Sequence, residues 1–447
     1  MDITQILIII SLLSFLLIGL LVKRSSMSSY SEFTMTRGKL NWFTIACGIS
    51  MTFTGGAAIL TTASVGYTFK WYALIDPIAL MIGLLVVLAF YKKYENDTGT
   101  TISDLLSSNH KGLSVLIGIV TSFTFILIVA ANFVALSKLL SPFFPSINPL
   151  LITFVVSTMV FSYVFFGGFN SVTKTDILQF VLITALLIIP LLVFIVKRQG
   201  NLAADEITHE FSVMPIDYII LFSIPALFTP LSQDINLRIK SAKNQKNGKI
   251  GLIMGGLFYF SITLTTAYVG ICLGDNNVEL VDPEQAIPFF FKNSFNGFGF
   301  IAIIASLAAI ISTLDSYTLN SITSISNDII KPLSKRSDNV PRTIKTASLI
   351  TYVIAMAIAL FFNKVLALSL TSLLVYISVL IPIALGNSLK LSGRKVFFGS
   401  IINILVISII EVLKIEISPK AIIYPAIGCV IVIIIKFFNN KKELCND

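Results

Sequence analysis

The segment Ala308-Ala309-Ile310-Ile311-Ser312-Thr313-Leu314-Asp315-Ser316 lies inside an apolar stretch long enough to cross a bilayer. Ala309, Ser312, Thr313 and Ser316 stand at i, i+3, i+4 and i+7, one face of a helix, and Asp315 lies beside that face. Lipid gives a helix no reason to gather hydroxyls and a carboxylate. A hard cation does, because oxygens must replace the water it sheds. The competing account is local: Ser and Thr hydroxyls bonded to carbonyls one turn back. A second intramembrane acid, Asp76, precedes Pro77. It suits a substrate ammonium; the alternative is a cap at a wet helix end.

The elements that carry these residues follow from composition. The chain of 447 residues is 55% hydrophobic and 12% charged, where a soluble domain carries about 25% charged residues. Mean hydropathy is +0.89. Many apolar runs reach roughly 20 residues, the length that spans hydrocarbon. The chain therefore reads as all-α and polytopic. Its net charge of +9 is the one-sided excess of Lys and Arg that membrane proteins carry, not a nucleic-acid signal. The four cysteines are scattered, with no CxxC and no Cys/His cluster, so no metal centre or disulfide framework is expected. No nucleophile–base pair or phosphate loop is present, so neither an enzyme nor a cofactor is expected.

Hydropathy places thirteen spans at about 5–22, 41–69, 73–91, 113–140, 148–167, 175–196, 215–233, 250–273, 297–327, 343–362, 365–386, 396–413 and 421–438. The first run is followed, not preceded, by Lys23 and Arg24 and lacks a small-residue cleavage site, so it reads as a retained span. Of the 32 Lys and Arg residues, 24 fall on the side reached after the odd-numbered spans. That side is expected to be cytoplasmic, with the N-terminus outside and the C-terminus inside a plasma (bacterial inner) membrane. The chain forms one transporter-like domain over 1–447.

Two spans carry breaks. In the second, Thr52-Phe53-Thr54-Gly55-Gly56 gathers residues that hold a helix poorly. In the seventh, Pro225 and Pro230 remove backbone donors. The breaks open two successive five-helix sets of inverted topology, 41–196 and 215–386, with 5–22, 396–413 and 421–438 peripheral. Interrupted helices at matching positions of inverted halves point to a transporter's central site.

Four segments resemble the sodium:solute symporter family. Gly167-Gly168-Phe169-Asn170-Ser171-Val172-Thr173-Lys174-Thr175-Asp176-Ile177-Leu178-Gln179 is similar to its GG-x-x-AV-x-x-TD-x-x-Q segment. Gln233 to Arg238, with Ala242-Lys243, resembles its Q-x-x-x-x-R…AK loop. Ala308 to Ser316, with Asn327-Asp328-Ile329, resembles its A-A-x-x-ST-x-D-S…D-I segment, and Thr100 to Leu106 its T-T-x-x-E-[FY]-L loop. The resemblance runs from about residue 30 to 390. It implies a LeuT-type fold of 5+5 inverted helices with one extra helix before them and two after.

The resemblance also implies site residues. A sodium site would take the Ala309 carbonyl, the Ser312 and Thr313 hydroxyls, and carbonyls near Met51 and Thr54. A second cation or proton site would use Asp176, Asp315 and Ser316; alternatively Asp176 caps the N-terminus of the sixth span. Arg238 and Lys243 would pair with Asp234, with lipid phosphates or in a gating salt bridge. Ala58, Asp76, Pro225 and Phe228 fall at substrate-contact positions, Phe228 at that of an inner aromatic gate. Ala58 and Pro225 cannot hydrogen-bond sugar hydroxyls as sugar-transporting relatives do. Residues 50–58 also lack the acid that proline-transporting relatives carry there.

The function expected is sodium-coupled import of a small polar solute by alternating access, an amino acid or related zwitterion being slightly favoured. Proton coupling through Asp176 and Asp315, and a solute sensor on the same fold, are the alternatives. The partners are sodium, the solute and membrane lipids, with no nucleic acid; the oligomeric state is left open.

Overall fold

A computed structural model describes residues 3–21, 34–35, 37–97, 99–167, 169–185, 212–294, 300–333, 340–415 and 418–444. Lys23, Arg24, Gly168, the sixth span beyond 185 and most of the connection 197–214 lie outside the described residues. The described residues form helices without a named strand, apart from one isolated bridge between Leu40 and Ala242.

The helices follow the predicted spans in order. They are α1 (Ile3–Leu21), α2 (Trp42–Phe53), α3 (Thr62–Phe69), α4 (Ile75–Ala89), α5 (Lys111–Leu140), α6 (Pro149–Gly167) and α7 (Phe169–Ile183). The second half has α8 (Ile216–Phe222), α9 (Pro225–Phe228), α10 (Gln233–Ser241), α11 (Gln245–Asp275), α12 (Ala286–Ser294), α13 (Phe300–Ser324), α14 (Val340–Phe361) and α15 (Val365–Ser388). Two more, α16 (Gly393–Val412) and α17 (Lys420–Leu444), follow. Among the described residues nine helices are long and apolar enough by themselves to cross a membrane. α13 is the most enclosed of these, with 94% of its apolar window buried.

The loops sort onto two faces, and their hydrogen bonds show it. On the basic face the Leu40–Ala242 bridge forms, Lys240 pairs with Asp97, and the Asn387 amide donates to the Leu106 carbonyl at 2.6 Å. On the opposite face Gln5 donates to the Phe143 carbonyl at 2.8 Å and Lys292 to the Pro142 carbonyl at 2.9 Å. The pass α2–α3 leaves from the basic face. The pass α8–α10 leaves from the other, where the Ser212 amide bonds the Thr68 carbonyl. The two broken passes therefore run in opposite directions.

Both breaks occur where composition places them. α2 stops at Phe53, and the chain resumes as a π-helical turn, Ala57–Thr61. The second pass is interrupted twice, at Ser223–Ile224 and again through the 3₁₀ turn Thr229–Leu231. Freed backbone groups find side-chain partners, as burial in lipid demands. Asn132 Oδ1 accepts from the Gly56 amide at 2.8 Å. The Tyr94 and Tyr376 hydroxyls donate to the Pro230 and Leu231 carbonyls at 2.6 and 2.8 Å.

Three boundaries differ from the hydropathy reading. The seventh span runs on to Ser241, because the polar residues Gln233, Asp234, Asn236 and Arg238 are buried in α10 and not in a loop. The helix carrying Asp176 begins by Phe169, so Asp176 sits in its second turn and caps nothing. The ninth span continues through a π-helical stretch, Ile325–Ile330, with Asp328 buried inside it.

Small residues set a close backbone-to-backbone contact between α3 and α11. A Cβ on Gly270 of α11 would lie 1.9 Å from the Ala63 carbonyl oxygen, and one on Gly66 of α3 would lie 2.4 Å from that of Ala267. Helices in lipid gain little from hydrophobicity against each other, so close backbone approach through glycine supplies the packing.

Candidate functional site

The C-terminal end of α2 points its last carbonyls at α13. The Thr313 hydroxyl donates to the Met51 carbonyl at 3.0 Å. Thr54 turns back on its own helix, its amide and hydroxyl both bonding the Ser50 carbonyl at 2.9 and 2.7 Å. Gly55 permits this approach, since a Cβ there would lie 2.7 Å from Thr313 Cγ2 and 2.8 Å from Asn132 Oδ1. A helix C-terminus carries partial negative charge. With the fully buried Ala309 and Ser312 on the facing helix, the break is a cradle lined by uncharged residues.

Beside Thr313 the chemistry becomes ionic. Ser312 donates to Asp176 Oδ1 at 2.6 Å. Arg238 donates to the other oxygen of Asp176 at 3.1 Å, to Asp234 at 2.7 Å and to the Thr52 hydroxyl at 2.9 Å. Thr52 in turn donates to Ser316 at 3.0 Å. Arg238 and Asp176 are fully buried. The expected pairing of Arg238 with Asp234 is present, but its burial places lipid phosphates out of reach. Asp176 already holds the guanidinium, so one of the expected second-site ligands is committed to a cation that the chain supplies itself.

A cavity of about 100 Å³ lies on the other side of the break. Ala58, Asp76, Pro225 and Phe228 all line it, and so does Thr313. Asp76 accepts from the Tyr259 hydroxyl at 2.7 Å. It is not a pre-proline cap, because the helix already starts at Ile75 and Leu74 is its N-cap. Among the described lining residues Asp76 is the only carboxylate, and no Lys, Arg or His joins it. The rest mixes apolar side chains with hydroxyls from Thr52, Thr61, Thr62, Tyr317, Ser369 and Ser372 and with the Asn132 amide. Phe228 is buried and packs on Tyr376 with ring centroids 4.8 Å apart, and Tyr376 lies against Phe125. Phe228 is thus the lining member of a three-ring stack.

Sequence reading misses Asn132, Tyr259 and Thr52. Asn132 stands alone in a long apolar run, and that isolation was its signal. Tyr259 and Thr52 have none, because each acts through a partner on a distant helix.

The model of the sodium:solute symporter family matches residues 33–386. The chain belongs to this family. It is accordingly a sodium-coupled solute transporter and not an enzyme, and a multi-pass membrane protein. Among solved structures, this symporter is similar to a Na⁺-coupled sialic acid symporter in a substrate-bound outward-open state. The TM-score is 0.69 at 17% identity, covering 98% of this chain and 97% of that one. It is also similar to Mhp1, a nucleobase-cation-symport-1 family transporter, in a closed conformation with bromovinylhydantoin bound. There the TM-score is 0.58 at 13% identity, over 90% and 93% of the two chains. The inward-facing conformation of Mhp1 gives 0.54 at 13% identity, over 92% and 93%. These likenesses give the symporter its LeuT-type fold. No curated protein sequence matches the chain significantly.

Proposed function

We propose that this symporter imports a small amine-bearing solute, an amino acid or a related zwitterion, with sodium across the cytoplasmic membrane. The observation that carries the reading is Asp76. It faces the cavity as its one carboxylate, without a cationic side chain beside it, and the cradle at Met51 and Thr313 adjoins the same cavity. A substrate ammonium would neutralise Asp76 and fill the donor role that Tyr259 only half supplies. Sodium would sit between the break in α2–α3 and α13, taking oxygens from Met51, Thr54, Ala309, Ser312 and Thr313.

Sodium, and not a proton, is the coupling ion in this reading, since Asp176 is tied to Arg238. Asp176, Asp315 and Ser316 then form a second cation site only when Arg238 moves off. The basic face is cytoplasmic by its Lys and Arg excess. The halves 41–196 and 215–386 rock about the site to alternate access.

The test is uptake by proteoliposomes under an imposed sodium gradient, after a thermal-shift screen of the purified protein against amino acids and amines with and without sodium. Sodium-dependent accumulation of an amine-bearing solute is expected. Accumulation driven by a pH gradient alone, or of solutes without a basic nitrogen only, overturns the reading.

A further inference from the structure

The cavity is separated from a larger recess of about 780 Å³ on the face opposite the basic one. Leu366 and Leu370, in the first turns of α15, line both spaces. The start of α15 therefore stands between the two spaces, and whatever holds it bears on whether they join.

Glu284 holds it. The residue lies in a short 3₁₀ turn, Pro283–Gln285, between α11 and α12, and it is 6% exposed. Its two carboxylate oxygens accept from the Val365 and Leu366 amides at 3.2 and 2.8 Å. These are first-turn N–H groups with no partner inside the helix, at the positive end of its dipole. The same carboxylate lies 2.6 Å from the ammonium of Lys138 on α5, which also pairs with Asp282 at 2.5 Å. One side chain thus joins the connecting loop, α5 and the end of α15. The loop is fixed separately to α3, where Tyr67 donates to the Val278 carbonyl at 2.8 Å.

We propose that Glu284 is a latch that keeps α15 closed over the cavity, and that its release opens the cavity to the recess. A carboxylate in this position is bistable. In place it satisfies two amides and an ammonium. Displaced, it leaves a helix end to be solvated by water entering the gap and Lys138 with Asp282 as its one carboxylate partner, so intermediate positions are disfavoured. This goes beyond the transport reading and does not depend on which solute or ion is carried.

The test uses thiol labelling in lipid nanodiscs, where a charged methanethiosulfonate reagent reaches both faces, so membrane orientation does not enter. Ser372 is buried and lines the cavity but not the recess. The reporter is Ser372→Cys with Cys47, Cys272, Cys429 and Cys445 replaced by Ser. Glu284→Gln and Glu284→Ala are expected to speed labelling in sodium buffer by about tenfold. Lys138→Met, which keeps the helix cap and removes the ion pair, is the second route should the Glu284 variants fail to fold, and it is expected to act in the same direction. Labelling within about twofold of the parent in every folded variant, with only the unfolding midpoint lowered, overturns the latch and leaves Glu284 a helix cap.

Discussion

Ser312 donates its hydroxyl to Asp176 at 2.6 Å, while its neighbour Thr313 donates to the Met51 carbonyl at 3.0 Å. Two adjacent hydroxyls of α13 thus serve two different chemistries, one ionic and one made of neutral oxygens. Each hydroxyl keeps its oxygen lone pairs while it donates, so the sodium proposed for the break can be ligated by either oxygen while both bonds persist.

The double substitution Ser312→Ala with Thr313→Ala removes both hydroxyls without changing the apolar packing much. It is expected to raise the sodium concentration for half-maximal uptake at least about tenfold, which corresponds to about 1.4 kcal/mol. Sodium titration of proteoliposome uptake measures it. Unchanged sodium dependence removes these residues from the site.

Asp76→Asn keeps the shape of the cavity and removes its carboxylate. Uptake of an amine-bearing solute is expected to fall sharply, whereas Tyr259→Phe deletes one hydrogen bond of about 1 kcal/mol and should raise KM about fivefold. Initial-rate kinetics on both variants separate these roles. A fully active Asp76→Asn returns the residue to a structural role.

Arg238→Met leaves Asp176 and Asp234 as buried carboxylates without their cation. A loss of about 3–5 kcal/mol of stability is expected, because stranding a buried charge costs more than deleting the pair. Adding Asp176→Asn and Asp234→Asn to Arg238→Met should restore much of it. Unfolding midpoints in detergent compare the single and triple variants. A triple variant as unstable as the single one refutes the electrostatic account.

Gly270→Ala tests the helix contact. In an isolated helix this change favours the fold by about 1 kcal/mol. Here the new Cβ would meet the Ala63 carbonyl at 1.9 Å and the Tyr67 amide at 2.7 Å, both backbone atoms that cannot swing aside. A lower unfolding midpoint is expected, and a raised one would show that α3 and α11 have room to part.

The two breaks are legible in the sequence because glycine and proline act on the backbone locally, whatever surrounds them. The number and order of the passes are legible because hydrocarbon thickness sets a length that the chain must meet. α10 is not. Asp234, Asn236 and Arg238 lower its hydropathy below that of a span, and only burial against α2, α7 and α13 explains them. Asp176 reads as a cap from its Thr-Asp context, yet its partner stands 62 residues away on a helix of the other half. Motif placement brings Ala58, Asp76, Pro225 and Phe228 together, and the four do line one cavity. Tyr259 is not legible in this way, since nothing in an apolar run marks which tyrosine meets an acid 183 residues earlier.

Gly48 sits where Arg238 needs space: a Cβ on it would lie 1.6 Å from the guanidinium nitrogen Nη1. A side chain at position 48 would push the guanidinium out of its place between Asp176 and Asp234. The two positions are therefore coupled in space, although 190 residues separate them along the chain. A lineage that lost the arginine would be free to fill position 48, and its two acids at 176 and 234 would then have to find another cation or be lost as well.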